Sequence, residues 1–217
     1  MAVIETRTVN PLILMDSSGR TYTLRLSDLP SGRGDGAPFT SLVDLAKGAK
    51  LIHALSAPPE SRWLVSTTLG YGFIAKCADM VSRQRAGKAF MTVEDGQIPL
   101  PPAPATGDWV AVAASNGKAL VFPIEEVKEG TGGKGVQLIK LDAGEKMMAL
   151  TVFDGQALMV EGAGKGKRSG RLKLSGENLE RYRIQLESLN VAADGDGVQR
   201  GIRKELVICS PRGTWLQ

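Results

Sequence analysis

Along the first two thirds of the chain the apolar positions come in runs of four to six, each broken by a short polar stretch with glycine, as in "SSGR", "LGYG" and "SNGK". Runs of that length between tight-turn residues predict short antiparallel strands joined as hairpins. A 3.6-residue period is weak throughout, and the best helix candidate, around Gly176 to Arg183, is short. The pattern predicts a nearly all-β chain.

The runs also repeat. "ILMDSSGRTYTLRLSDLPSGRGDGAPFTSLV" (13–43), "WLVSTTLGYGFIAKCADMVSRQRAGKAFMTV" (63–93) and "WVAVAASNGKALVFPIEEVKEGTGGKGVQLI" (109–139) share one grammar. Each has an apolar strand, a small polar turn, a second strand, an acidic residue, a Gly-rich loop and a closing apolar strand. Gly19 and Gly70, Asp28 and Asp79, and Gly36 and Gly87 are each 51 apart, while Trp63 and Trp109, Asp79 and Glu125, and Lys88 and Lys134 are each 46 apart. A fainter fourth unit spans about 157–185, where "ALMVEGAGKGKRSGRLKL" predicts a hairpin around a very basic turn. One small sheet cannot bury both faces, so repeats of this period predict a propeller-like array of four-stranded blades, about four of them legible. We read residues 1–217 as a single domain of this kind, with a tail (186–217) that matches the repeat poorly. The Pro-rich stretches 56–61 and 99–108 are expected to be extended connectors between blades.

Composition narrows the chemistry. The 217 residues carry 27 Lys and Arg against 23 Asp and Glu, a formal net charge of +4. This leans mildly toward an acidic partner; what matters is where the cations cluster. No window reaches 18 uninterrupted apolar residues and the N-terminus lacks the pattern of a secretory signal, which predicts a cytoplasmic protein without a membrane partner. Two distant cysteines (Cys77, Cys209) and one histidine (His53) offer neither a disulfide framework nor a metal cluster, so no metal or cofactor is expected. "GTGGKG" (130–135) lacks the span and the Lys-Ser/Thr pair of a phosphate-binding P-loop. Asp28, Asp79 and Glu125 recur once per repeat, which suits turn or capping chemistry, and no nucleophile–base constellation is present. Trp63, Trp109 and His53 are expected to pack.

These residues carry a resemblance. "LMDSSGRTYTL" with "LPSGRGDGAPFT", then "LGYGF", "RQRAGKA" and "NGKALVFPIEEV…GGKG", resemble successive blades of the C-terminal domain of the A subunit in bacterial type IIA topoisomerases, the gyrase A and topoisomerase IV A family, and most closely its topoisomerase IV branch. The gyrase heptapeptide is matched only in part, by "RQRAGKA" (83–89) and "EGTGGKG" (129–135). The resemblance implies a β-pinwheel with strand exchange between neighbouring blades, here a truncated five- or six-bladed ring in which residues 3–11 resemble the last strand of an earlier blade. It further implies a non-catalytic domain that binds and bends double-stranded DNA and presents it to a separate cleavage core for decatenation and supercoil relaxation. The implied partners are the remaining domains of the A subunit and the ATPase subunit of a heterotetramer. ATP and magnesium would be used by those other domains, and the implied location is the bacterial nucleoid. A gyrase-type DNA-wrapping domain and a propeller-like protein-interaction module are the alternative readings.

Binding along a DNA backbone needs cations spaced over a surface and aimed at phosphates. The loops supply Arg33, then Arg83, Arg85 and Lys88, then Lys134. The hairpins add Arg20, Lys76 and Lys118, and the fourth unit adds Lys165, Lys167, Arg168 and Arg171. A track of loop cations repeated from blade to blade is therefore the candidate site.

Overall fold

The computed structural model describes the backbone of residues 4–30, 36–115, 119–154, 157–163, 169–175 and 206–209. Its contacts divide into two compact units, Met1–Thr67 with Gly72–Pro104 and Lys128–Val136, and Thr68–Tyr71 with Ala105–Val127 and Gln137–Gln217.

The first apolar run forms β1 (Pro11–Asp16) and the run after "SSGR" forms β2 (Arg20–Arg25), paired antiparallel with Leu14 opposite Tyr22. Asp16 builds the turn between them. Its buried carboxylate accepts hydrogen bonds from the backbone N–H groups of Ser18 (2.8 Å) and Arg20 (3.1 Å), from the Ser18 hydroxyl (2.7 Å) and from the Tyr22 hydroxyl (2.8 Å). A buried charge satisfied this fully fixes the hairpin instead of weakening it. β2 then runs into a 3-10 turn, Leu26–Asp28, and β3 (Leu51–Ser56) returns to pair with β1.

The second repeat follows the same plan. β4 (Arg62–Ser66) pairs with β5 (Tyr71–Lys76), and a single helical turn, Cys77–Met80, follows. The Asp79 carboxylate accepts the Lys76 backbone N–H at 3.3 Å, and the third repeat places Glu125 in a 3-10 turn at the equivalent point, Ile124–Glu126. The recurring acid therefore marks a helical turn that ends each hairpin. The loop after it does not close its own sheet. β6 (Lys88–Ala89) pairs with β2 of the preceding repeat, Arg20 opposite Ala89 and Thr21 opposite Lys88. β7 (Ala103–Pro104) then pairs with β4, so the Pro-rich connector contributes an edge strand, the position in a sheet that tolerates proline.

In the third repeat β8 (Trp109–Ala114) pairs with β9 (Ala119–Pro123), β10 (Val136–Gln137) reaches back beside β5, and β11 (Met147–Phe153) pairs with β8. The fourth hairpin is β12 (Ala157–Ala163) with β13 (Ser169–Ser175), and from the poorly matched tail β14 (Leu206–Cys209) joins β12. The sheet orders are β3-β1-β2-β6, β10-β5-β4-β7, β11-β8-β9 and β13-β12-β14.

Two expectations differ from what forms. Residues 4–10 are not a strand: the Thr6 hydroxyl bonds the Ser56 hydroxyl at the end of β3 at 2.8 Å, and the Asn10 N–H closes a turn onto the Arg7 carbonyl at 3.0 Å, so a turn and a side-chain contact take the place of strand pairing. The closing run of the first repeat is a 3-10 turn, Phe39–Ser41, because Pro38 starts it and Val43 turns inward to the core beside Leu14, Tyr22 and Leu24. The helix candidate at 176–183 lies outside the described residues.

The main core of the first unit gathers Ile13, Met15, Val65, Phe73, Met80 and Phe90, with Trp63 packed against it; in the second unit Ala111, Val121, Phe153 and Leu158 form a core that Trp109 covers. Burial raises the Cys77 thiol above its ordinary range, as suits a packing residue. Among the described residues no helix is long and apolar enough to cross a membrane, and no cluster of metal-ligating side chains forms.

Candidate nucleic-acid interface

The loop "RQRAGKA" is built from its backbone outward. Gly87 turns it at a φ of 65°, its N–H donates to the Gln84 carbonyl at 3.0 Å, and its Cα lies against Thr21 and Tyr22. Arg20 reaches across from β2 and clamps the loop: Nε and Nη2 donate to the Ala86 carbonyl at 3.3 and 2.9 Å, and Nη2 also donates to the Gly87 carbonyl at 3.0 Å. Lys88 is turned inward, its ammonium donating to the Asp79 carbonyl and lying 5.6 Å from the centre of the Phe90 ring. Arg85 bridges to the neighbouring loop, with Nη2 donating to the Ser41 carbonyl at 2.8 Å and lying 3.7 Å from the Asp44 carboxylate. Arg83 is exposed and has no side-chain partner among the described residues.

The next Gly-rich loop, 130–135, runs alongside strand β5. The Gly130 N–H donates to the Ile74 carbonyl at 2.8 Å, and the Gly133 N–H donates to the Phe90 carbonyl at the same distance. The N–H groups of Gly87, Gly130 and Gly133 are thus committed to protein carbonyls. The Lys134 ammonium lies 2.6 Å from the Glu94 carboxylate and holds that carboxyl below the ordinary range. Lys76 pairs with Glu60 at 2.7 Å, which raises the pKa of the ammonium, and Arg62 pairs with Glu129 at 2.6 Å.

All six predicted cations with described side chains, Arg20, Lys76, Arg83, Arg85, Lys88 and Lys134, belong to the first unit. Arg83 and Arg85 are both exposed, Arg85 with its guanidinium held by Ser41 and Asp44, whereas Arg20 and Lys88 bond the protein backbone. Arg171 lies in β13, opposite Glu161 in the strand register. Arg33, Lys118, Lys165, Lys167 and Arg168 lie outside the described residues. Sequence reasoning missed the carboxylates Asp44, Glu60, Glu94 and Glu129 that face these cations, and it missed Arg62. No local signal marks them, because each pair is made by chain segments far apart in sequence.

A family model described as DNA gyrase C-terminal domain, beta-propeller, matches residues 108–154. The A subunit of DNA topoisomerase 4 from Neisseria gonorrhoeae is 42% identical over 154 residues, covering 68% of this chain and 20% of that protein. Among solved structures, the ParC C-terminal domain of E. coli is similar with a TM-score of 0.80 and 26% identity, covering 97% of this chain and 86% of that one. The chain belongs to the family of C-terminal domains found in the A subunits of gyrase and topoisomerase IV. A gyrase A C-terminal domain shares the fold at a TM-score of 0.59 and 16% identity, covering 78% of this chain and 56% of that one. The chain spans between 20% and 29% of the length of curated relatives that it matches. Its fold is therefore the family's all-β pinwheel, and its exchanged strands β6 and β10 are the family trait the sequence resemblance implied.

Proposed function

We propose that this domain binds and bends double-stranded DNA as the C-terminal domain of a topoisomerase IV A subunit. In this reading it presents a duplex segment to a cleavage core located in other domains, for decatenation and relaxation of supercoils. ATP hydrolysis and metal-assisted strand cleavage belong to those other domains and to the ATPase subunit of the heterotetramer. The observation that carries the reading is the loop at 83–87. Its backbone is fixed by Arg20 and by its own turn, and it carries two exposed arginines, Arg83 and Arg85, in a member of a DNA topoisomerase family. A fixed backbone leaves only the side chains to be ordered on binding. Bending a duplex costs several kcal/mol, which successive phosphate contacts offset through counterion release. Greater similarity to the topoisomerase IV domain than to the gyrase domain supports that branch of the family.

The test is fluorescence anisotropy of this chain with a labelled duplex of about 40 base pairs, titrated across salt, for wild type and an Arg83→Ala/Arg85→Ala variant. Wild type is expected to lose affinity steeply with salt, and the variant to bind more weakly with a slope shallower by roughly 0.9 for each lost phosphate contact. Folded wild type that ignores DNA at low salt would overturn the reading and direct attention to a protein partner. Binding with an unchanged slope in the variant would move the contact surface away from this loop.

A further inference from the structure

The cation of the second Gly-rich loop is already neutralised within the protein. Lys134 Nζ lies 2.6 Å from Glu94 Oε1, with the two side chains 41% and 51% exposed. The carboxylate is itself held, since Glu94 Oε2 accepts from the Nε2 of Gln97, a buried side chain, at 3.1 Å. The backbone sets both ends of the pair: the Thr92 N–H donates to the Gly133 carbonyl at 3.0 Å and the Gly133 N–H to the Phe90 carbonyl at 2.8 Å. Most exposed ion pairs are weakened by the entropy of fixing two long side chains, and here one of the two is already fixed. The pair differs in this from Lys76 with Glu60, whose carboxylate is 76% exposed, and from Arg85 with Asp44, whose charged atoms are 3.7 Å apart.

A carboxylate oxygen and a phosphate oxygen are the same kind of ligand for an ammonium group. A lysine whose charge is balanced by a neighbouring carboxylate adds little counterion release on DNA, because the pair carries no net charge. We propose that Glu94 limits the DNA affinity of this domain by occupying Lys134 in competition with backbone phosphate. The device would keep the grip of the 130–135 loop weaker than that of the 83–87 loop, where Arg83 has no side-chain partner among the described residues. This inference rests on the DNA-binding reading above.

The test compares Glu94→Gln with Asp95→Asn in this same chain. Both changes add one unit of charge at adjacent exposed positions, but Asp95 makes no ion pair among the described residues. In duplex anisotropy, Glu94→Gln is expected to bind about two- to fivefold tighter, the change that corresponds to releasing one well-placed surface pair. Its salt slope should be steeper by roughly 0.9, one additional phosphate neutralised. Asp95→Asn should keep the wild-type slope, and in a Lys134→Gln background Glu94→Gln should lose its effect. Equal behaviour of the two variants would reduce the effect to net charge and overturn the proposal, as would Glu94→Gln binding like wild type. If neither wild type nor Glu94→Gln binds DNA, the DNA-binding reading falls with it; if wild type binds and Glu94→Gln is unchanged, only the role of Glu94 falls. Melting curves establish that each variant is folded.

Discussion

Arg20 shows what a single residue can hide. The sequence places it beside a hairpin turn in a basic repeat, where a phosphate contact is the natural expectation. In the structure its guanidinium donates three hydrogen bonds to the carbonyls of Ala86 and Gly87, 66 and 67 residues away. The planar fork suits two adjacent carbonyls in a way an ammonium cannot reproduce. Arg20→Ala is therefore expected to lower stability by about 1 kcal/mol in urea unfolding, the usual net worth of such bonds at a partly exposed site. Its salt slope for DNA should stay near that of wild type. A slope reduced by roughly 0.9 with unchanged stability would instead make Arg20 a phosphate contact. Which residues are cationic was legible from composition and repeat; what each faces was not. Lys76 meets Glu60 across 16 residues through the β4–β5 hairpin, and Lys134 meets Glu94 across 40 because the 130–135 loop bonds the backbone at Phe90 and Thr92.

At the scale of elements, the hairpins and the recurring helical turn were readable because both are local: "SSGR" and "LGYG" turn within four residues, and Asp79 caps within three. The strands β3, β7 and β11 were missed for a shared reason. Each lies outside the repeat grammar and is defined by pairing to the first strand of its hairpin, and β7 is only an Ala-Pro pair. The exchange of β6 onto β2 makes Gly87 a joint between repeats. A Cβ there would lie 2.6 Å from the Thr21 carbonyl oxygen and 2.8 Å from the Tyr22 ring, on a backbone at φ 65°. Gly36, its counterpart 51 residues earlier, has φ 80° but open space around it. Gly87→Ala is expected to cost about 3 kcal/mol, combining backbone strain with displacement of β6. Gly36→Ala should cost about 1 kcal/mol from strain alone. Hydrogen exchange distinguishes the two, because only Gly87→Ala should speed exchange at Thr21 and Lys88. Equal costs without local loss of protection would mean that the β6 contact adds nothing to the fold.

For the molecule as a whole, one residue governs how stability responds near neutral pH, since His53 is the only histidine in the chain. It sits in β3, part-buried, with Nε2 2.9 Å from the Pro99 carbonyl, so the outer strand of the first sheet is tied to the Pro-rich connector. Burial lowers its pKa below the ordinary 6.5, and the Pro99 carbonyl, which favours a protonated ring, offsets this only in part. The unfolded chain therefore binds the proton more readily than the folded one. Stability from this site is complete above about pH 6.5 and declines as pH falls through that value toward the lower folded pKa. Carboxylates have little influence in this range, because most finish titrating below about pH 5.5. The melting temperature of wild type should thus hold steady on the alkaline side and fall between about pH 6.5 and pH 5.5, while His53→Gln should give a nearly flat profile over the same window. A wild type as flat as the variant would mean that the imidazole gains from Pro99 as much as burial costs it. The tie between β3 and the connector would then survive protonation, and acid sensitivity near neutrality would have to arise elsewhere in the chain.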